Sequence, residues 1–163
     1  MTISNEIQGD VFAALEERTQ PTLLMHGCNM QGHMGSGIAK VIKDKWPYVF
    51  DTYKNFCDGK AGGEVTLGGV VISPTSPKLE EGTPPLYIAN ALTQEFWSRE
   101  KAQADVEAIE EALAGIERTL GDRADRWGFV TVQVGCGLGG LDWEADVKPL
   151  YEASGLDWTV YYL

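Results

Sequence analysis

The chain has 163 residues, 44% of them hydrophobic, with a formal net charge of −11; that suffices for one domain, residues 1–163, with a sizeable core. The acidic balance disfavours nucleic acid or an anionic membrane as partner, because such binding rests on clustered Lys and Arg, and the 13 basic residues are scattered apart from Lys40, Lys43 and Lys45. No apolar run approaches the roughly 20 residues of a bilayer span, the first ten residues lack the features of a secretory signal, and Cys28, Cys57 and Cys136 share no zinc-ligand spacing, so a reduced, cytoplasmic compartment and a monomer are expected.

In chain order, residues 2–8 alternate weakly through Ile3 and Ile7 and read as an edge strand closed by Gly9 and Asp10. Residues 11–17 read as a short amphipathic helix, and residues 23–27 as a strand apolar enough to be central. Residues 37–45 carry Ile38, Val41 and Ile42 on one helical face, with the three lysines on a solvated face. Trp46-Pro47 interrupts this helix, since a residue ahead of proline avoids the helical region, and residues 48–57 resume it. Residues 65–73 read as a strand with a bulge or kink at Gly68-Gly69, and residues 73–85, with four prolines, as a surface loop. A strand over 86–92 follows. Residues 98–120 give the clearest helical pattern, through Ala102, Val106, Ile109, Leu113, Ile116 and Leu120, with Gly121 as its stop. A strand over 129–134, a helix over 143–153 and a closing strand over 158–163 complete an α/β pattern with an at least partly parallel sheet.

Two glycine-rich segments follow apolar strands directly. One runs from His26 to Ala39 and the other from Gly135 to Trp143. Glycine between a strand and a helix lets backbone N–H groups approach a ligand and points a helix N-terminus at it, an arrangement suited to phosphate. Two such loops suggest a ligand with more than one phosphate, or a phosphate and a sugar. In a chain this acidic, backbone amides and helix dipoles are expected to hold it.

Gly9-Asp10-Val11-Phe12, the His26-to-Ala39 loop with Asn29 and Met34 to Ala39, the Gly135-to-Trp143 loop and the ending Thr159 to Leu163 together resemble the macro domain family of ADP-ribose-binding modules. The resemblance covers essentially the whole length and implies a three-layer α/β/α sandwich with a mixed central sheet. It implies that Asp10, beside Gly9, accepts from the adenine amino group while the Val11 amide faces a ring nitrogen. It further implies that Asn29 orients the distal ribose, that Gly35, Ser36, Gly37 and Ile38 offer amides to one phosphate, and that Cys136, Gly137, Leu138, Gly139 and Gly140 enclose the other phosphate and the ribose.

The family contains hydrolases and pure binders. The segment around His26 and the closing strand are similar to those of the ADP-ribose 1''-phosphate phosphatases, and the second loop to the branch that removes ADP-ribose from DNA. That branch carries a lysine after its fourth strand where Gln94 stands here, and an amide cannot serve as base or form a Schiff-base adduct. A related deglutamylating group pairs the lysine with an aspartate whose counterpart here is Gly139. Hydrolysis of ADP-ribose 1''-phosphate to ADP-ribose and phosphate is therefore the expected reaction, with no cofactor and no metal required. His26 is the expected acid or base, Asn29 positions the ribose, and Asp142 is the reserve for orienting water. Each has a structural alternative: His26 a satisfied core histidine, Asp10 and Asp142 helix caps. His33 is expected at an exposed loop tip, Cys28 and Cys136 as small buried residues rather than nucleophiles, and Trp46, Trp97 or Trp143 as core residues that could line a pocket. Two other functions stay open: a non-catalytic module that binds or sequesters ADP-ribose or a related nucleotide, and a hydrolase acting on an ADP-ribosylated macromolecule.

Overall fold

The computed structural model describes residues 3–96 and 104–163. The elements are β1 (Ile3–Gln8), α1 (Val11–Glu16), β2 (Thr22–Asn29), α2 (Gly37–Lys45), α3 (Pro47–Cys57), β3 (Val70–Pro74), β4 (Leu86–Gln94), α4 (Val106–Leu120), β5 (Gly128–Val132), α5 (Lys148–Ala153) and β6 (Trp158–Tyr162). One six-stranded sheet has the order β1-β6-β5-β2-β4-β3. It is mixed: β3 runs antiparallel to β4 and every other pair is parallel. β1 lies at an edge and β2 is interior, as their weak and strong apolar patterns imply.

Successive side chains of β2 face opposite layers. Leu23 and Met25 pack with Ile109, Leu113 and Ile116 of α4 and with Tyr151 and Trp158. Leu24 packs with Val11 and Leu15 of α1, Ile42 of α2 and Val49 of α3, while Cys28, Met34, Tyr53 and Leu92 form a smaller cluster on that side. Helices thus cover both faces, giving the three-layer sandwich.

Several boundaries differ from the sequence pattern, each for a local reason. Residues 65–69 form a turn rather than a strand, with Gly68 at φ +92° and the Gly69 amide bonded to Thr66 O, although both glycines still exchange hydrogen bonds with Leu92. The long helix begins at Val106, because Asp105 caps it by accepting from the Ala108 amide; residues 98–103 of its expected span lie outside the described residues, as does Trp97. Gly121 keeps a right-handed φ of −59° and passes into a 3₁₀ turn, so it does not end the helix in the left-handed way. β5 stops at Val132, where the chain turns through Val134 N–H to Val132 O and Cys136 N–H to Gln133 O. Residues 143–147 form a π-helical turn before α5; Pro149 lacks an amide and crowds the carbonyl four residues back, which favours the wider turn. No helix among the described residues is long and apolar enough to cross a membrane.

Candidate functional site

The connections after β1, β2 and β5 leave the C-terminal ends of parallel strands and gather at one end of the sheet, where ligands bind in open α/β folds. Two cavities open there. The larger, about 700 Å³, is lined by Gly9, Asp10, Val11, Phe12, Val41, Cys136, Tyr161, Tyr162 and Leu163. The smaller, about 240 Å³, is lined by Asn29, His33, Gly35, Ser36, Thr93, Gln94, Leu138 and Gly139 among others. Both are also lined by Gly37, Ile38, Val132, Gln133 and Gly137, so they form one elongated cleft with an apolar end and a backbone-rich end. A separate hollow of about 360 Å³ around Arg18 and Trp46 contains neither glycine loop; there the Arg18 guanidinium is engaged by Pro84 O and Leu15 O.

At the apolar end, Asp10 Oδ1 accepts from the Phe12 amide at 2.9 Å and caps α1. That leaves its second oxygen as the acidic edge of a greasy slot. Cap and ligand contact are compatible because a carboxylate has two acceptor atoms.

At the polar end, α2 begins at Gly37 with φ +59°, and Ser36 precedes it without a side-chain cap bond. Among the described residues, no acceptor takes the amides of Gly35, Ser36, Gly37 and Ile38, or those of Gly137, Leu138 and Gly139. Residues of both loops with unspent N–H groups therefore line the same cavity, one set at a helix N-terminus that favours negative charge. Gly139 tolerates no side chain: a β-carbon there would lie 2.5 Å from Gly135 O and 2.7 Å from Ala104 Cβ. Gly140 is absent from the lining and serves the turn, with φ +80° and its amide bonded to Gly137 O.

Asn29 is 5% exposed and holds the first loop together. Its Oδ1 accepts from the amides of Gln31 and His33, and its Nδ2 donates to His33 O at 2.8 Å. The Tyr53 hydroxyl is within hydrogen-bond distance of both Asn29 O and Asn29 Oδ1. Burial, with smaller contributions from neighbouring Cys28 and Cys57, raises the Tyr53 pKa far above its ordinary value, so the phenol stays a donor.

Two expected catalytic groups lie elsewhere. His26 is 0% exposed within β2 and is not among the cleft-lining residues. Its Nε2 lies 2.7 Å from Asn90 Oδ1, whose amide end donates to Val71 O; that fixes the Asn90 oxygen toward the ring and makes His26 Nε2 the protonated nitrogen. Burial pushes the His26 pKa down to about 4, against a smaller upward effect of Asn90. It is the satisfied core histidine of the two readings. Asp142 is exposed, caps the turn that follows by accepting from the Ala145 amide at 2.8 Å, and lines neither cavity. His33, by contrast, is exposed and lines the polar end.

The cysteines are poor nucleophiles here. Burial raises the Cys28 thiol pKa well above its usual value. Burial, helped by the carboxylates of Asp142 and Asp146, takes Cys136 up to about 11. Trp143 is core, donating to Glu6 Oε1, and Trp46 packs on Phe12 at a 6.0 Å centroid distance, outside the cleft lining. Lys40 pairs with Asp44, while Lys43 and Lys45 lie over Phe50 and Phe12 rings. Gln94 does stand in the polar end, its carboxamide donating to Phe96 O. Gln133, Val132, Thr93 and Val41 also line the cleft, and the sequence pattern did not single them out. Gln133 had a usable signal, the strand end just before a glycine tract; Val41 read simply as part of an apolar helix face.

The Macro domain sequence pattern matches residues 25–148. The ADP-ribose 1''-phosphate phosphatase of Scheffersomyces stipitis is 27% identical over 170 residues, an alignment covering 96% of this chain and 98% of that one. The DNA ADP-ribosyl glycohydrolase of Mycobacterium bovis is 32% identical over 128 residues, covering 78% of this chain and 33% of its own. Among solved structures, the macrodomain of Mycobacterium tuberculosis DarG matches with a TM-score of 0.74 and 26% identity, over 99% of this chain and 97% of that one.

Proposed function

The chain belongs to the macro domain family, and on that premise we propose that it binds ADP-ribose and hydrolyses ADP-ribose 1''-phosphate to ADP-ribose and inorganic phosphate. The observation that carries this reading is the one elongated cleft, apolar around Asp10 and lined by unspent amides of both glycine loops at its other end. Adenine fits the larger cavity, with its amino group on the free oxygen of Asp10 and a ring nitrogen at the Val11 amide. The diphosphate then crosses at the shared Gly37, Ile38 and Gly137, beside the α2 N-terminus. The distal ribose and its substituent reach Asn29, His33 and Gln94. Amides fixed before the reaction stabilise the phosphoryl charge without reorganising, and in such a site this preorganised electrostatic stabilisation contributes most to the rate. The relative from Scheffersomyces stipitis, matched end to end, supports the phosphatase chemistry.

A non-catalytic ADP-ribose-binding module is the second reading, favoured by the absence of His26 and Asp142 from the cleft lining. Glycohydrolysis of a macromolecule by the lysine-dependent route is disfavoured, since Gln94 supplies no amine and Gly139 has no room for a carboxylate. One experiment separates the readings: calorimetric titration with ADP-ribose, then incubation with ADP-ribose 1''-phosphate and a phosphate assay. Binding with phosphate release is expected. Binding without release moves the assignment to the module, and no binding refutes both.

A further inference from the structure

Resting on the phosphatase reading, we propose that His33 is the catalytic acid of this cleft, delivering a proton to the sugar oxygen that leaves phosphorus. Three observations converge on it. Among the described lining residues of the polar end, only Cys28 and His33 carry titratable side chains, and the Cys28 thiol is buried. The His33 ring lies over Gly35: a β-carbon at Gly35 would meet its Nε2 and fall 2.8 Å from its Cε1. The imidazole thereby lies against Gly35, the first of the run of unspent amides that continues through Ser36 and Gly37 into α2. Its main chain is also anchored on both sides, since the Asn29 carboxamide accepts from His33 N and donates to His33 O, and the buried Tyr53 hydroxyl lies within hydrogen-bond distance of Asn29 Oδ1. An exposed loop residue is thus positioned from the core, which catalysis by a side chain requires and a solvent-facing tip does not.

The step balances as follows. The oxygen of a water molecule forms a bond to phosphorus, and the bond from phosphorus to the C1'' oxygen breaks with its electron pair passing to that oxygen. The His33 imidazolium transfers its proton there, giving the free hydroxyl of ADP-ribose. The attacking water loses one proton, which restores the imidazolium, and leaves hydrogen phosphate. On this assignment Asn29 is a positioning residue acting through the His33 backbone, and His26 takes no part in proton transfer.

The test uses the full chain and its His33→Gln variant, with calorimetric binding of ADP-ribose and initial rates of phosphate release from ADP-ribose 1''-phosphate. The variant is expected to lose about 10²–10⁴-fold in kcat, the usual worth of a general acid, with KM and the ADP-ribose Kd within about threefold, well under the tenfold change worth ~1.4 kcal/mol. A variant kcat within about threefold of the parent overturns the assignment, as does a loss of turnover fully matched by a weaker Kd. A parent protein that binds ADP-ribose but releases no phosphate removes the phosphatase reading and this assignment with it, an outcome visible without any variant.

Discussion

His26→Gln offers the sharpest physical test of the buried end of the site. In the folded chain the imidazole is neutral, with its pKa depressed from 6.5 to about 4 by burial. Between those two values the unfolded chain holds a proton on His26 that the folded chain does not. Unfolding therefore takes up a proton, and stability rises with pH across the window. The contribution is complete above about pH 6.5, falls progressively as pH drops and is exhausted near pH 4. At about 1.4 kcal/mol for each pH unit, the separation corresponds to roughly 3 kcal/mol, a large share of the ~5–15 kcal/mol that holds a typical domain folded. Glutamine can still donate to Asn90 Oδ1 but carries no titratable proton, so subtracting its pH profile from that of the parent removes the carboxylates, which titrate in the same range. Urea unfolding of both proteins at about pH 7.5, 5.5 and 4.5 should show the parent losing about 2–3 kcal/mol more than the variant between the extremes. Profiles parallel within about 0.5 kcal/mol would refute a histidine held neutral in the core. The same variant should retain phosphate release at the highest of these pH values.

Asp10→Asn keeps an oxygen for the Phe12 amide but replaces the free carboxylate oxygen by a donor facing the adenine amino group. Calorimetry should show ADP-ribose affinity falling at least about tenfold, or ~1.4 kcal/mol, with the unfolding midpoint unchanged; an affinity within twofold removes the adenine contact. Gly139→Ala forces a β-carbon onto Gly135 O and Ala104 Cβ, an overpacking worth ~1–3 kcal/mol in denaturant unfolding. The displaced second loop should weaken ADP-ribose more than adenosine. Equal stability and affinity would show that the loop has slack.

Much of the fold was legible because the relevant forces are local. Trp46-Pro47 separated α2 from α3 where proline chemistry requires, and β2 stood out as a continuous apolar run because both of its faces are covered. Gly135 to Gly140 announced a backbone-lined loop. The failures are equally specific. The π-turn before α5 follows from Pro149 meeting a carbonyl one turn back, and the helical periodicity of 143–153 conceals it. His26 lies in the core while His33 lines the cleft, because the apolar run of β2 does not say which of its positions reach the open end of the sheet.

The sequence alone determined the ingredients: strands alternating with helices, two glycine segments placed to present amides, a carboxylate at Asp10, and a charge of −11 that leaves anion binding to the backbone. Those are properties of short stretches and of overall composition. Tertiary structure decided which ingredients meet. Only the parallel order of β1, β6, β5 and β2 brings the loops after β1, β2 and β5 into one cleft. Only burial in the packed sheet keeps His26 neutral, against the smaller upward effect of Asn90, and the Tyr53–Asn29 network, closed across 24 residues of chain, anchors the His33 backbone. Burial and long-range hydrogen bonds set proton affinity and reach, and neither is written in neighbouring residues.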